Sequence, residues 1–192
     1  MLKAGNRDNF TKHLTVPHIE LNGKTLGVVG YGNIGRTVIR IAEALEMRIL
    51  VYTRTPRADT ETVRFVSLET LLKKSDFISL HCPLGAETRH MIDEKALAMM
   101  KPTAFLVNAS RGALVDESAL IRALQEKRIA GAGLDVQETE PPARDNPLYT
   151  LENVIITPHM GWKGIETRRR LLQIVADDVH GFFAGKPVNV VG

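Results

Sequence analysis

Residues 25–46 run without a break from an apolar strand-like segment, TLGVV, through Gly30-Tyr31-Gly32-Asn33-Ile34-Gly35 into an amphipathic helical pattern. A GxGxxG is a weak signal alone, but between a strand and a helix it is the turn that opens a nucleotide-binding βαβ unit. Each glycine has its own physical reason. Gly30 permits the tight turn, Gly32 lets backbone N–H groups approach a pyrophosphate, and Gly35 lets helix and strand pack closely. The helix N-terminus behind them offers unpaired donors and the positive end of its dipole to phosphate.

The rest of the chain repeats the alternation. Short β-branched runs predict strands at 25–29, 48–52, 63–66, 77–80, 104–107, 132–136 and 154–156. Helical spacing predicts helices at 33–46, 68–74, 94–99, 117–127 and 164–183, with Ser67, Asp93 and Asp116 as N-cap residues. This is a doubly wound α/β fold with a mostly parallel sheet and a C-terminal return helix. Residues 1–20 read as a connector, 21–163 as a dinucleotide-binding domain and 164–192 as a helix with a tail. Residues 137–150, which hold three of the nine prolines, read as an ordered surface loop.

Composition removes several other classes. With 192 residues, 44% hydrophobic and 24% charged, the chain lies in the globular range. Its longest apolar runs are strand-length, far short of the ~20 residues of a membrane span, so no membrane association is expected. A single cysteine, Cys82, rules out an internal disulfide. It reads as a small apolar group in a βα turn, and His81 beside it as structural. The first residues lack the apolar core of a secretory signal, and the expected compartment is the cytoplasm. The net charge of +3, from 25 basic and 22 acidic residues, is spread along the chain. Its one dense cluster, Arg168-Arg169-Arg170, sits in a helical pattern as a solvated face, so no nucleic-acid partner is expected. No Cys/His/Asp set has metal-ligand spacing.

A carboxylate that holds the adenosine ribose is expected at the end of the second strand. Here the strand ends in Thr53-Arg54-Thr55. Arg54 could pair with a 2′-phosphate that a carboxylate would repel, so NADP is favoured over NAD. Further strand ends carry HCPL (81–84), NASRG (108–112), DVQETEP (135–141) and TPHMGW (157–162). In a doubly wound sheet these share one edge with the glycine loop. They bring an arginine, a carboxylate and a histidine to one crevice, a set suited to reducing a 2-keto acid.

GKTLGVVGYGNIG, NASRGALVDESAL, GAGLDVQETEP, NVIITPHMGW and FFAGKPVNVV resemble, in that order, the D-isomer-specific 2-hydroxyacid dehydrogenase family, especially its glycerate dehydrogenase and hydroxypyruvate reductase members. The resemblance covers residues 19–191 and implies a Rossmann-like NAD(P)-binding domain. It places the family's catalytic arginine on Arg111, which would hold the substrate carboxylate and keto oxygen. The catalytic glutamate falls on Glu140, not Glu138, and the general acid on His159. His159 would protonate the carbonyl oxygen as hydride leaves the nicotinamide, and Glu140 would stabilise the resulting cationic ring. Asp135 matches the residue that holds the nicotinamide carboxamide. Asn33, Ile34, Pro83, Thr88 and Ser110 match other cofactor-lining positions. Any one of these residues alone has an ordinary structural explanation; their order in five motifs carries the assignment.

The family builds its substrate domain mainly from a long segment ahead of the part seen here, so most of that domain is expected to be missing. The apolar residues of the last helix and tail should then be exposed or covered by self-association, as a homodimer for example. Residues 1–18 should be poorly ordered or exchanged between chains. The alternative to a 2-keto/2-hydroxy acid oxidoreductase is a non-catalytic NAD(P)-sensing module of the same fold, against which Arg111, Glu140 and His159 count. The short chain also reads as a cofactor domain separated from an enzyme.

Overall fold

In the computed structural model, which describes residues 19–55 and 57–190, seven short strands form one sheet. They are β1 (Thr25–Val29), β2 (Arg48–Tyr52), β3 (Val63–Phe65), β4 (Phe77–Leu80), β5 (Phe105–Asn108), β6 (Gly131–Leu134) and β7 (Val154–Ile156). Each pairs in parallel with its neighbours, in the order β3-β2-β1-β4-β5-β6-β7. Parallel strands need crossovers, and helices supply most of them: α1 (Asn33–Ala44), α2 (Leu68–Lys74), α3 (Glu94–Met99) and α4 (Glu117–Gln125). A last helix, α5 (Ile165–Phe183), follows β7. The strand order reverses between β1 and β4, and such a switch point opens a crevice at the carboxyl ends of the strands.

Two apolar layers flank the sheet. On one side Ile39 and Ala42 of α1 pack with Val28, Ile49 and Val51. On the other, Leu71, Leu97, Leu120 and Leu124 of α2 to α4 pack with Val29, Ile78 and Leu106. This burial on both faces explains why the central strands read as continuous apolar runs.

Ser67, Asp93 and Asp116 are N-caps, with side chains accepting from the amides of Thr70, Ala96 and Ala119. Several boundaries differ from the sequence reading. Helix α1 ends at Ala44 instead of 46 and α4 at Gln125 instead of 127, because Glu46 (φ 56°) and Lys127 (φ 55°) take the left-handed conformation that terminates a helix. That position usually carries glycine, so the sequence gives no stop signal there. Strand β5 spans 105–108, not 104–107, and β6 spans 131–134, not 132–136. Asn108 completes β5 as a buried polar residue whose side chain bonds the Arg111 carbonyl and the Ser110 amide. Gly131 opens β6 where a Cβ would meet the Asn153 carbonyl at 2.6 Å. Strand β3 closes at Phe65 rather than at residue 66, and α5 starts at Ile165 with Gly164 as its N-cap.

Residues 137–150 are not simply a surface loop. Gln137, Asn146 and Leu148 are buried, and Pro147–Thr150 form a 3-10 turn capped by the Asn146 side chain. Helix α5 buries no residue: Leu172 is 71% and Phe183 83% exposed. The expectations for residues 1–18 lie outside the described residues. Among the described residues no helix is long and apolar enough to cross a membrane.

Candidate functional site

The glycine loop leaves β1 at the switch point. Gly30 has φ 104°, and a Cβ there would strike the His81 carbonyl at 2.6 Å, so only glycine fits. A Cβ on Gly35 would strike the Gly30 carbonyl at 2.3 Å, whereas above Gly32 nothing lies within 4 Å. Gly32 is the N-cap of α1, makes no side-chain cap, and is followed by no acidic residue in the first turn. A twelve-residue helix thus points uncapped amides at open space, as a bound phosphate requires.

That space belongs to a cavity of about 350 Å³ whose walls include Gly30, Gly32, Thr53, Arg54, Pro83 and Thr88. Thr88 Oγ1 donates to the Pro83 carbonyl at 2.8 Å and accepts from the Gly85 amide at 2.8 Å, which fixes the far wall. Asn33, Ile34, Gly35, Ser110 and Asp135 do not line it. Ile34 is 68% exposed, and Asn33 Oδ1 accepts from Arg36 Nη2 at 2.6 Å. Ser110 lies on the next strand end and donates from Oγ to the Leu80 carbonyl at 2.8 Å, tying β5 to β4.

Sequence reasoning missed several wall residues, Tyr31, Tyr52, Glu87 and Met91 among them. The first two are the variable second residue of the glycine motif and the last residue of β2, positions that a motif does not specify. Glu87 faces Arg54 across the mouth at 4.0 Å, with both side chains largely exposed. Such a pair contributes little and leaves Arg54 free to turn to a ligand. His81 and Cys82 also line the cavity. Burial pushes the His81 imidazole below its ordinary pKa, and its Nε2 shares a hydrogen bond with Ser79 Oγ. Burial pushes the half-buried Cys82 thiol up, so it is a poor nucleophile.

The acid–base residues meet at the ends of β6 and β7. Glu140 Oε2 lies 2.7 Å from His159 Nδ1, and Glu140 Oε1 accepts from the Gln137 amide at 3.1 Å. The hydrogen bond from His159 and that from the Gln137 amide hold the Glu140 carboxyl below the ordinary range. With Nδ1 engaged by Glu140, Nε2 of His159 has no hydrogen-bond partner among the described residues. His159 has φ 48°, an uncommon conformation for a residue with a side chain. Asp135 pins that turn: its carboxylate accepts from Thr157 Oγ1 and from the amides of Met160 (2.9 Å) and Gly161 (3.0 Å). Partial burial pushes the Asp135 carboxyl up, but these hydrogen bonds outweigh it and the net shift is down. In this structure Asp135 therefore shapes the loop that bears His159.

Arg111 is exposed, and its Nη1 donates to the Ser110 carbonyl at 2.7 Å. Among the described residues it bonds to neither Glu140 nor His159. Its turn nevertheless abuts the Glu140 loop, because a Cβ on Gly112 would lie 1.9 Å from the Gln137 carbonyl.

A family profile described as "D-isomer specific 2-hydroxyacid dehydrogenase, NAD binding domain" matches residues 2–161. A glyoxylate reductase from Thermococcus litoralis is 50% identical over 175 residues, covering 89% of this chain and 53% of that protein. A hydroxypyruvate reductase from Blautia hydrogenotrophica is 45% identical over 177 residues, covering 91% and 55%. The solved structure of an acyclic imino acid reductase in complex with NADPH and D-Arg superposes with a TM-score of 0.86 at 37% identity, covering all of this chain and 62% of that one. The chain spans about half the length of the curated relatives it matches.

Proposed function

The chain belongs to the D-isomer specific 2-hydroxyacid dehydrogenase family through its NAD-binding domain, and from that premise we propose that it serves the NAD(P)-dependent reduction of small 2-keto acids of the hydroxypyruvate or glyoxylate type to D-2-hydroxy acids. The observation that carries this reading is the 2.7 Å pairing of Glu140 with His159 on the sheet edge that also carries the glycine loop. Bound nicotinamide would supply a hydride to the keto carbon. His159 Nε2 gives its proton to the carbonyl oxygen, so hydride and proton together convert C=O to CH–OH. Glu140 stabilises the ring while it is cationic and fixes which nitrogen faces the substrate. Arg111 swings from the Ser110 carbonyl to grip the substrate carboxylate with its planar fork. In a chain joined to a substrate-binding half, His159→Ala is expected to keep nucleotide affinity and lose about 100-fold or more in kcat. Unchanged turnover of hydroxypyruvate would remove His159 from this role.

The cofactor is NADP in preference to NAD. Arg54 sits at the cavity mouth with Glu87 as a loosely held partner. The second strand is followed by Thr53-Arg54-Thr55, where a carboxylate would favour NAD, and this suits a 2′-phosphate. Arg54→Asp is expected to reverse the order of affinities, read by calorimetric titration with NADPH and NADH; equal affinities in the unsubstituted chain would contradict it. Residues 21–163 form the dinucleotide-binding unit, and the exposed face of α5 is where the chain self-associates or meets a substrate-binding half.

A further inference from the structure

The loop that carries Glu140 is fastened by a residue the proposed mechanism does not use. Glu138 Oε1 accepts from His90 Nε2 at 2.6 Å and from Arg89 Nη2 at 3.0 Å, and its side chain is 25% exposed. The Glu138 amide in turn donates to Glu117 Oε2 at 3.0 Å, and Glu117 Oε1 accepts from the buried Asn146 at 2.8 Å. His90 reaches Glu138 from a left-handed backbone, φ 51°, and its amide donates to the Ala113 carbonyl in the turn that follows Arg111. Residues on either side of this pair, Thr88 and Met91, line the dinucleotide cavity. One carboxylate therefore joins the cavity wall to the loop that ends at Glu140.

We infer that Glu138 is a positioning residue: held by His90 and Arg89, it sets the 137–140 loop so that Glu140 meets His159 Nδ1. The inference rests on reading Glu140 and His159 as an acid–base pair. The chain between Glu138 and Glu140 is one residue long, so a shift of one carboxylate is passed to the other. A carboxylate accepting two charge-capable donors is also a stronger anchor than a neutral contact. Without it, Glu140 would keep its own link to the Gln137 amide but the loop would lose its tie to the cavity wall.

The spectroscopic signature is the His159 tautomer. At alkaline pH, where imidazole rings are neutral, nitrogen-15 spectra of the histidine-labelled chain, assigned through His159→Gln, show which ring nitrogen holds the proton. The unsubstituted chain is expected in the Nδ1–H form. Glu138→Ala should lower the ratio of Nδ1–H to Nε2–H about tenfold, in line with loss of a hydrogen bond to a charged group. Glu138→Gln, whose amide oxygen still accepts, should restore most of it. Should the alanine variant fail to fold, the double variant Arg89→Ala with His90→Asn gives the same reading, since asparagine tolerates positive φ and both new side chains are too short to reach Glu138. An unchanged ratio in the variant that folds overturns the inference. A spectrum of the unsubstituted chain in the Nε2–H form would instead sink the acid–base pairing itself, and the positioning role with it.

Discussion

Asp135 and Glu140 are carboxylates whose hydrogen bonds shape the turn at His159, and both titrate below their ordinary range. A depressed folded pKa contributes stability that is fully present above the unfolded value of about 4 and is lost as pH falls through the folded value. Acid should therefore loosen this edge of the sheet, and the His159 turn should lose order as pH drops below about 4. Asp135→Asn should flatten the acid limb of a stability-versus-pH curve measured by denaturant titration; an unaltered limb would contradict the assignment. Gly112→Ala forces a Cβ to within 1.9 Å of the Gln137 carbonyl. It should destabilise the chain by about 1–3 kcal/mol, the usual range for overpacking. At this scale the sequence was readable where motifs are short and ordered, as for Gly30, Glu140 and His159. It was not readable for the pairing of His90 and Arg89 with Glu138, whose partners lie 48 and 49 residues apart and meet only through the register of β4, β5 and β6. Nor did it show that Asp135 turns its carboxylate to the amides of Met160 and Gly161.

The elements themselves follow from local chemistry. Apolar runs bounded by Ser67, Asp93 and Asp116 become helices whose first free amides are taken by those side chains. Asp116→Ala should cost about 1 kcal/mol in chemical denaturation, as loss of an N-cap generally does. An unchanged midpoint would mean that the cap contributes nothing to α4. Helix α1 has no side chain at its N-terminus to take up the amides, and neither has α5, whose N-cap is Gly164. What sets the end of α1 apart is that Gly32 lines the cavity and no acidic residue follows in the first turn, whereas α5 carries Glu166 there. The sequence-based ends of α1 and α4 ran long because Glu46 and Lys127, not glycine, take the left-handed position. The apolar run suggests a start for β6 at residue 132, while in the fold Gly131 opens it, because only glycine is small enough to pass the Asn153 carbonyl.

On the scale of the whole molecule, the sheet and four helices enclose a core while α5 stands outside it. Leu172, Val175, Val179 and Phe183 form one side of that helix, all exposed. Exposed apolar surface of this kind favours association. Sedimentation should show mass rising with concentration, and Leu172→Glu with Phe183→Glu should suppress it; a strictly monomeric chain at all concentrations would contradict self-association. That the fold was legible follows from the strength of the βα alternation, since a parallel sheet can only be built with such crossovers. The proposed function depends on the glycine loop, the uncapped end of α1 and the Arg54 rim acting together as a dinucleotide site. Calorimetric titration of the chain with NADPH and then NADH tests this most directly. Saturable binding of one nucleotide per chain is expected, tighter for NADPH. Absence of binding by either nucleotide would contradict it.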